Sequence, residues 1–521
     1  MNLFKAAFSI SALTMLSRIT GLLRDQVGAA LFGASAMMDA FWIAFRIPNL
    51  LRRLFAEGAF SQAFVPLLAA TRARHGDDVT HALVDAVATV MLWTMVAVCT
   101  LGIVSAPVLV WLLASGFDAP TTEATVRMTR WMFPYIGCMS LVALSSAVLN
   151  TWRRFAIPAF TPVLLNVSTV AAAWLLTPIF RRHGIEPVFS MAVGVMLGGV
   201  LQLGIQVPAL LRIVALPRIG LTWSRLRAAW AHPGVGEILA KMGPAVIGVS
   251  VAQLSLMINS QIASHLGAGA VSTLQYADRL MELPIAMLGV ALGMVLTPQL
   301  SAAQAREDWE RYSGLLDWGL RMVLLLGLPC AAGLLTFALP IVATLFHRGA
   351  FTAHAAQLAA AATMGYGAGL IGLVGVKVVA PGYYAKQDMK TPMYVGIGVM
   401  LLTQALNLVL VPWLGVSALT LSLSLAAIVN AGWLLWGLKR LEHWRPAPGW
   451  PLLMVRALLA CAVMGAGLAW AASGFDWLAL GAHEARRAGL LALVITAAVL
   501  VYFGTLALSG MNLRQAFRRQ V

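Results

Sequence analysis

Charged side chains stand in this chain where hydrocarbon surroundings would penalise them. Arg18, Arg24 and Asp25 lie in one apolar stretch, and Asp39, Arg46, Arg52, Arg53 and Glu57 in the next. Asp278, Arg279 and Glu282 lie in a third, far along the chain. An ionised residue at the centre of a membrane helix costs about 2.5–3.5 kcal/mol on insertion scales, so it faces a protein interior or a watery cavity. At ~100° per residue, Asp39, Arg46, Arg53 and Glu57 fall within about 40° of one another on a helix. Arg18 and Asp25 also share a face, and Asp278 and Glu282 are an i,i+4 pair. Pro48 should kink the second stretch, and Arg52 points off the charged face unless that kink turns it inward. Residues near helix ends, such as Arg24 and Asp25, can simply snorkel to the interface. Clustering in three segments favours a shared cationic cavity instead. Guanidinium forks match phosphate oxygens bidentately, so such a cavity suits an anion, with the carboxylates pairing the arginines while it is empty. Lys377, alone in its own apolar stretch, is a weaker candidate for the same cavity.

The elements that must position these residues are membrane helices. Of 521 residues, 60% are hydrophobic and only 11% charged, less than half the share usual in a soluble domain. Fourteen continuous apolar segments can be marked, near 6–28, 36–68, 82–114, 126–150, 158–179, 188–211, 238–264, 270–301, 317–346, 355–383, 391–412, 416–438, 452–472 and 488–509. Their length suits helices crossing a ~30 Å core and not the ~10-residue alternating strands of a barrel. The expectation is an all-α polytopic membrane protein. The first stretch has the lysine and apolar run of a signal peptide, but Arg18 and Arg24 follow without a small-residue cleavage site, so it reads as a retained helix.

The net charge of +16 does not point to nucleic acid, because the basic residues are scattered through short loops. Alternate loops and the tails hold roughly nineteen Lys and Arg against about five in the opposite loops, a positive-inside bias that places both termini in the cytoplasm. Arg181 and Arg182 are the main exceptions.

The chain also repeats. Gly33-Ala34-Ser35-Ala36 before the second segment resembles Gly267-Ala268-Gly269-Ala270 before the eighth, 234 residues on, and Pro158 and Pro392 have the same separation. Pro66 and Pro298 are 232 apart. Matched helices six apart cross in the same direction, which implies two six-helix lobes related by a pseudo-two-fold axis along the membrane normal. The expected lobes are 1–214 and 238–446. Residues 215–237 form a partly amphipathic linker on the cytoplasmic surface, and 447–521 add the last two helices and a tail.

Several functions are disfavoured. There is no Walker A, GxSxG or HExxH sequence, so no ATP site, enzyme or cofactor is expected, and energy must come from an ion gradient or the membrane potential. Cys99, Cys138, Cys330 and Cys461 lie in separate segments without metal or redox spacing, and read as small packing residues. Gly194/Gly198, Gly289/Gly293 and Gly365/Gly369 are GxxxG pairs, which mark close helix packing more often than hinges. A drug or ion antiporter would take cations and want a carboxylate-rich cavity. An enzyme of polyprenyl-phosphate metabolism would want an aspartate-rich loop, for which QAREDWER is too sparse.

Long motifs then carry a specific resemblance. GLLRDQVGAALFGASAMMDAFWIAFRIPNLLRRLFAEGAFSQAFVP, YADRLMELP, VKVVAPGYYAKQDMKTP and the early LSRITGLLRD resemble the MurJ/MviN family of bacterial lipid II flippases, related to the MATE exporters, over essentially the whole chain. The resemblance implies fourteen transmembrane helices in the inner membrane, with the last two forming a groove for a lipid tail. It implies transport, by alternating access, of the undecaprenyl-diphosphate-linked peptidoglycan precursor from the cytoplasmic to the periplasmic leaflet. By motif position it places the functional arginines on Arg18, Arg24, Arg52 and Arg279, and their acidic partners on Asp25, Asp39, Glu57, Asp278 and Glu282. The implied partners are lipid II and membrane lipids. A structural role beside the cell-wall synthesis machinery would be an addition, and it would not account for buried arginines.

Overall fold

The structure, a computed structural model, describes residues 3–51, 60–213 and 216–512. Each of the fourteen apolar segments falls on helical chain in these residues, the second continuing into 52–59, which lie outside them. Ten of the described helices are long and apolar enough to cross a membrane, or up to eleven if the bent pair Ala353–Gly367 and Leu370–Ala385 is one span. Contacts divide the chain into two compact units, Met1–Val271 and Ser272–Val521.

In the first unit, helix Leu3–Phe32 packs on Ala156–Arg182, which packs on Phe189–Leu211. Ala36–Leu51 lies on Ala119–Met132, and Pro233–Ser264 lies on Phe60–Val104 and Ala106–Ala114. The Gly194/Gly198 pair explains the closest of these approaches. A Cβ on Gly194 would stand 2.6 Å from the Thr169 Cα, and one on Gly198 2.9 Å from the Leu165 Cα. Without water to drive association, membrane helices gain from such backbone proximity. The sequence suggests a loop at TRARHGDD, but the chain turns there on one residue. Gly76 takes φ +79° between two helical runs, a conformation that glycine adopts without a Cβ penalty.

In the second unit, helix Val416–Arg440 is the hub, packed by Ala353–Gly367, Leu370–Ala385 and Lys390–Leu414. Gly365 and Gly369 seat against its Leu421 and Ser424 backbone, so this GxxxG pair also packs. Two spans widen locally into π-helix, at Ile285–Val290 and Val323–Gly327. The final pair, Trp450–Gly474 and Glu484–Leu508, packs together and rests on Leu328–Thr336 and Ala338–Phe346 respectively. Large apolar side chains such as Trp174, Trp413 and Leu508 remain exposed, the surface expected of helices whose solvent is lipid.

Candidate substrate-binding site

Arg24 is held by several partners at once. Its Nε and Nη2 donate to the Asp25 Oδ1 at 3.0 and 2.8 Å, and its Nη1 donates to the Asn166 Oδ1 at 3.3 Å. Asn166 in turn donates to the Ser17 carbonyl and the Thr20 hydroxyl at 3.1 and 3.2 Å, which turns its carbonyl end toward the arginine. The rings of Trp42 and Phe45 lie 5.7 and 5.8 Å from the guanidinium carbon. Asp25 is buried, and the Arg24 side chain is 12% exposed. A buried charge persists only when paired and hydrogen-bonded, and a planar guanidinium also gains from aromatic faces. Arg24 is therefore pre-oriented, and its Asp25 partner is one that an anion could replace. Arg18, half-buried, lies six residues earlier on the same helix.

Among the described residues, the two acidic candidates of this unit, Asp25 and Asp39, have different surroundings. Asp39, fully buried, accepts a 2.7 Å hydrogen bond from the Gly269 N–H. Gly269 takes φ +86°, and a Cβ there would stand 2.5 Å from the Ala34 carbonyl oxygen. The two copies of the repeated Gly-Ala motif thus meet each other, with Asp39 holding the turn. Arg46 donates to the Ser260 hydroxyl on helix Pro233–Ser264. Arg52, Arg53 and Glu57 lie outside the described residues.

In the second unit, the three charges of helix Ala270–Pro284 sort into two sets. Asp278 accepts from the hydroxyl of Tyr366, itself buried on helix Ala353–Gly367. Arg279 pairs with Glu282 at 3.0 Å, the two side chains being 20% and 48% exposed. The Asp278/Glu282 face expected from spacing is therefore divided: one carboxylate turns to a tyrosine and the other to the arginine. Lys377 is exposed, and its stem packs over Gly289.

Sequence reasoning does not single out Asn166, Trp42, Phe45 or Tyr366. A signal exists for Asn166, since a carboxamide in an apolar span needs a partner. The aromatic residues carry no such signal.

The second unit also holds an apolar cavity of about 490 Å³. Leu283 and Leu288 form one side, Pro329 and Phe337 another, and Met464 and Leu491 of the final helix pair close it. Its lining is almost free of polar atoms, so it suits hydrocarbon and would penalise a polar group.

Comparison with known proteins identifies the family. Residues 28–483 match the family described as Lipid II flippase MurJ. The chain is 48% identical to the lipid II flippase MurJ of Burkholderia cenocepacia over 522 aligned positions, covering 100% of both chains. It is 37% identical to a probable lipid II flippase MurJ of Vibrio cholerae, over 98% of this chain and 97% of that one. In structure it resembles a lipid II flippase MurJ in an inward closed conformation, with TM-score 0.79, 23% identity, and coverage of 98% of this chain and 99% of the other. An inward-facing multidrug MATE transporter shares the fold at TM-score 0.64 and 17% identity, over 84% of this chain and 98% of its own.

Proposed function

This chain belongs to the lipid II flippase MurJ family, and from that premise we propose how it carries lipid II across the inner membrane. It is a multi-pass membrane transporter of the peptidoglycan pathway, not an enzyme. The observation that carries the proposal is the coexistence of a caged Arg24 and an almost wholly apolar cavity of about 490 Å³ in one chain. A polyprenyl diphosphate needs both, because its head cannot enter oil as an ion and its tail can.

The diphosphate of lipid II is held by Arg18, Arg24, Arg52 and Arg279. Its oxygens take over the forks that Asp25 and Glu282 occupy in the empty protein, and charge-assisted bonds of this type are the strong ones. Asp39, Glu57 and Asp278 limit the cost of the unliganded state. The tail lies in the apolar groove beside the last two helices. Alternating access then moves the head to the periplasmic side while the tail stays in lipid. The lobes are 1–214 and 238–446, joined by 215–237, with 447–521 outside the repeat, and both termini are cytoplasmic. No nucleotide motif is present in the sequence, so the driving force is an ion gradient or the membrane potential. A cation antiporter reading of the same fold fits poorly with arginine-rich spans.

The test uses bacteria depleted of their own flippase. Wild-type protein should restore lipid II on the outer leaflet, and Arg24→Ala combined with Arg279→Ala should abolish it at equal membrane level. Full exposure in the double variant would sink the arginine assignment. No exposure from well-inserted wild type would count against lipid II as cargo.

A further inference from the structure

One hydrogen bond ties opposite walls of the apolar groove together. Pro329 has no N–H to give the carbonyl four residues before it, that of Leu325, and its ring crowds that oxygen. The preceding residues Val323–Gly327 are π-helical, and the next ordinary bond runs from the Leu328 N–H to the Leu324 carbonyl. The Leu325 carbonyl therefore cannot take the i+4 bond of a regular helix and is open to a donor from another element. Tyr502, on the last helix and 1% exposed, donates its hydroxyl to that oxygen at 2.8 Å. Tyr502 lines the groove on one wall, and Leu326, Pro329 and Cys330, which lie beside that carbonyl in the chain, line it on the other. The bond fixes the spacing of the two walls.

We propose that Tyr502, by bridging to the Leu325 carbonyl beside Pro329, sets the width of this groove and makes it selective for a methyl-branched polyprenyl chain over straight acyl chains. The proposal rests on the groove being the tail site. A groove open to a bilayer is surrounded by straight chains in large excess, so it must discriminate or be filled by membrane lipid. A slot of fixed width discriminates by packing, since even a gap of 0.5–1 Å forfeits a quarter to a half of the dispersion gain. A slot whose wall can shift adapts to either chain. Gly333 is also in the lining, and a Cβ added to it would meet nothing within 4 Å, which offers a way to fill the groove deliberately.

The experiment measures transport by the full-length protein in proteoliposomes, with two probes: lipid II on undecaprenyl, and lipid II on a straight saturated chain of similar length. Wild type should prefer the first. Tyr502→Phe keeps the ring and removes the bond, and should reduce the preference by about fivefold, the factor that one net hydrogen bond represents. Pro329→Ala offers the Leu325 carbonyl a donor in its own helix that competes with Tyr502, so it should shift the preference in the same direction. The double variant should be no worse than either single one. An unchanged preference in Tyr502→Phe, or in Pro329→Ala should the former not accumulate, overturns the role of Tyr502. Gly333→Leu separates this failure from failure of the groove itself: if transport of both probes survives it, the tail does not lie there and both readings fall.

Discussion

Residue by residue, the charged side chains are explained by what each one touches. Arg24 is fixed in place because Asp25 and Asn166 accept from three of its donors. Asn166 is oriented by Ser17 and Thr20, so its acceptor faces the guanidinium. Replacing it by Asn166→Asp would set a second carboxylate against Arg24 and cancel its attraction for a diphosphate. Transport should fall at least about tenfold, the factor corresponding to ~1.4 kcal/mol, with protein level unchanged; transport at wild-type rate would show that Arg24 does not meet the substrate. Arg24→Lys should also impair transport, because an ammonium lacks the planar fork. A lysine variant as active as wild type, assayed by lipid II exposure, would reduce the site to a simple point charge.

Among the elements, close packing and buried ties decide where helices lie. Gly194→Val would force its Cβ toward the Thr169 Cα, 2.6 Å away, and overpacking of this kind costs about 1–3 kcal/mol. A lowered thermal midpoint in detergent is the expected outcome. Near the start of the last helix, Arg487 is fully buried and donates to the His347 carbonyl at 2.9 Å, with Arg348 and Glu484 paired alongside at 3.6 Å. Burial, then the nearby Arg487, holds the His347 imidazole below its ordinary value of 6.5. The unfolded chain therefore binds a proton more readily than the folded one. The neutral imidazole's contribution is complete above pH 6.5 and is lost as pH falls from there through the folded value. Thermal midpoints should drop more steeply below pH 6.5 in wild type than in His347→Gln, and parallel profiles would remove His347 from the account.

At the scale of the whole molecule, a transporter without a nucleotide motif should depend on the membrane. Dissipating both the potential and the ion gradients in cells expressing this protein should stop the appearance of lipid II on the outer leaflet. Depleting ATP while the potential is maintained should not stop it. Persistence of transport in fully de-energised cells would mean that consumption of the product alone pulls the substrate across. The proposed topology is tested separately: tags at either end should be reached by impermeant reagent only after the inner membrane is opened.

How much of this is legible in the sequence follows from what each interaction needs. Apolar segment length, loop charge and the costly arginines are local properties of the chain, so membrane class, helix positions and the candidates Arg24, Asp25, Asp278 and Arg279 can be read directly. The long motifs supply the family. Partner choice is not local. Nothing in the spacing of Asp278 and Glu282 says that one turns to Tyr366 and the other to Arg279, because the tyrosine is 88 positions away. Likewise Pro329 announces a missing i+4 donor to Leu325, but only the packed helices bring Tyr502, 177 positions beyond Leu325, to that carbonyl. Hydrophobic periodicity and charge penalty act through each residue's own surroundings, whereas buried hydrogen bonds require a second group whose position exists only once the helices have packed.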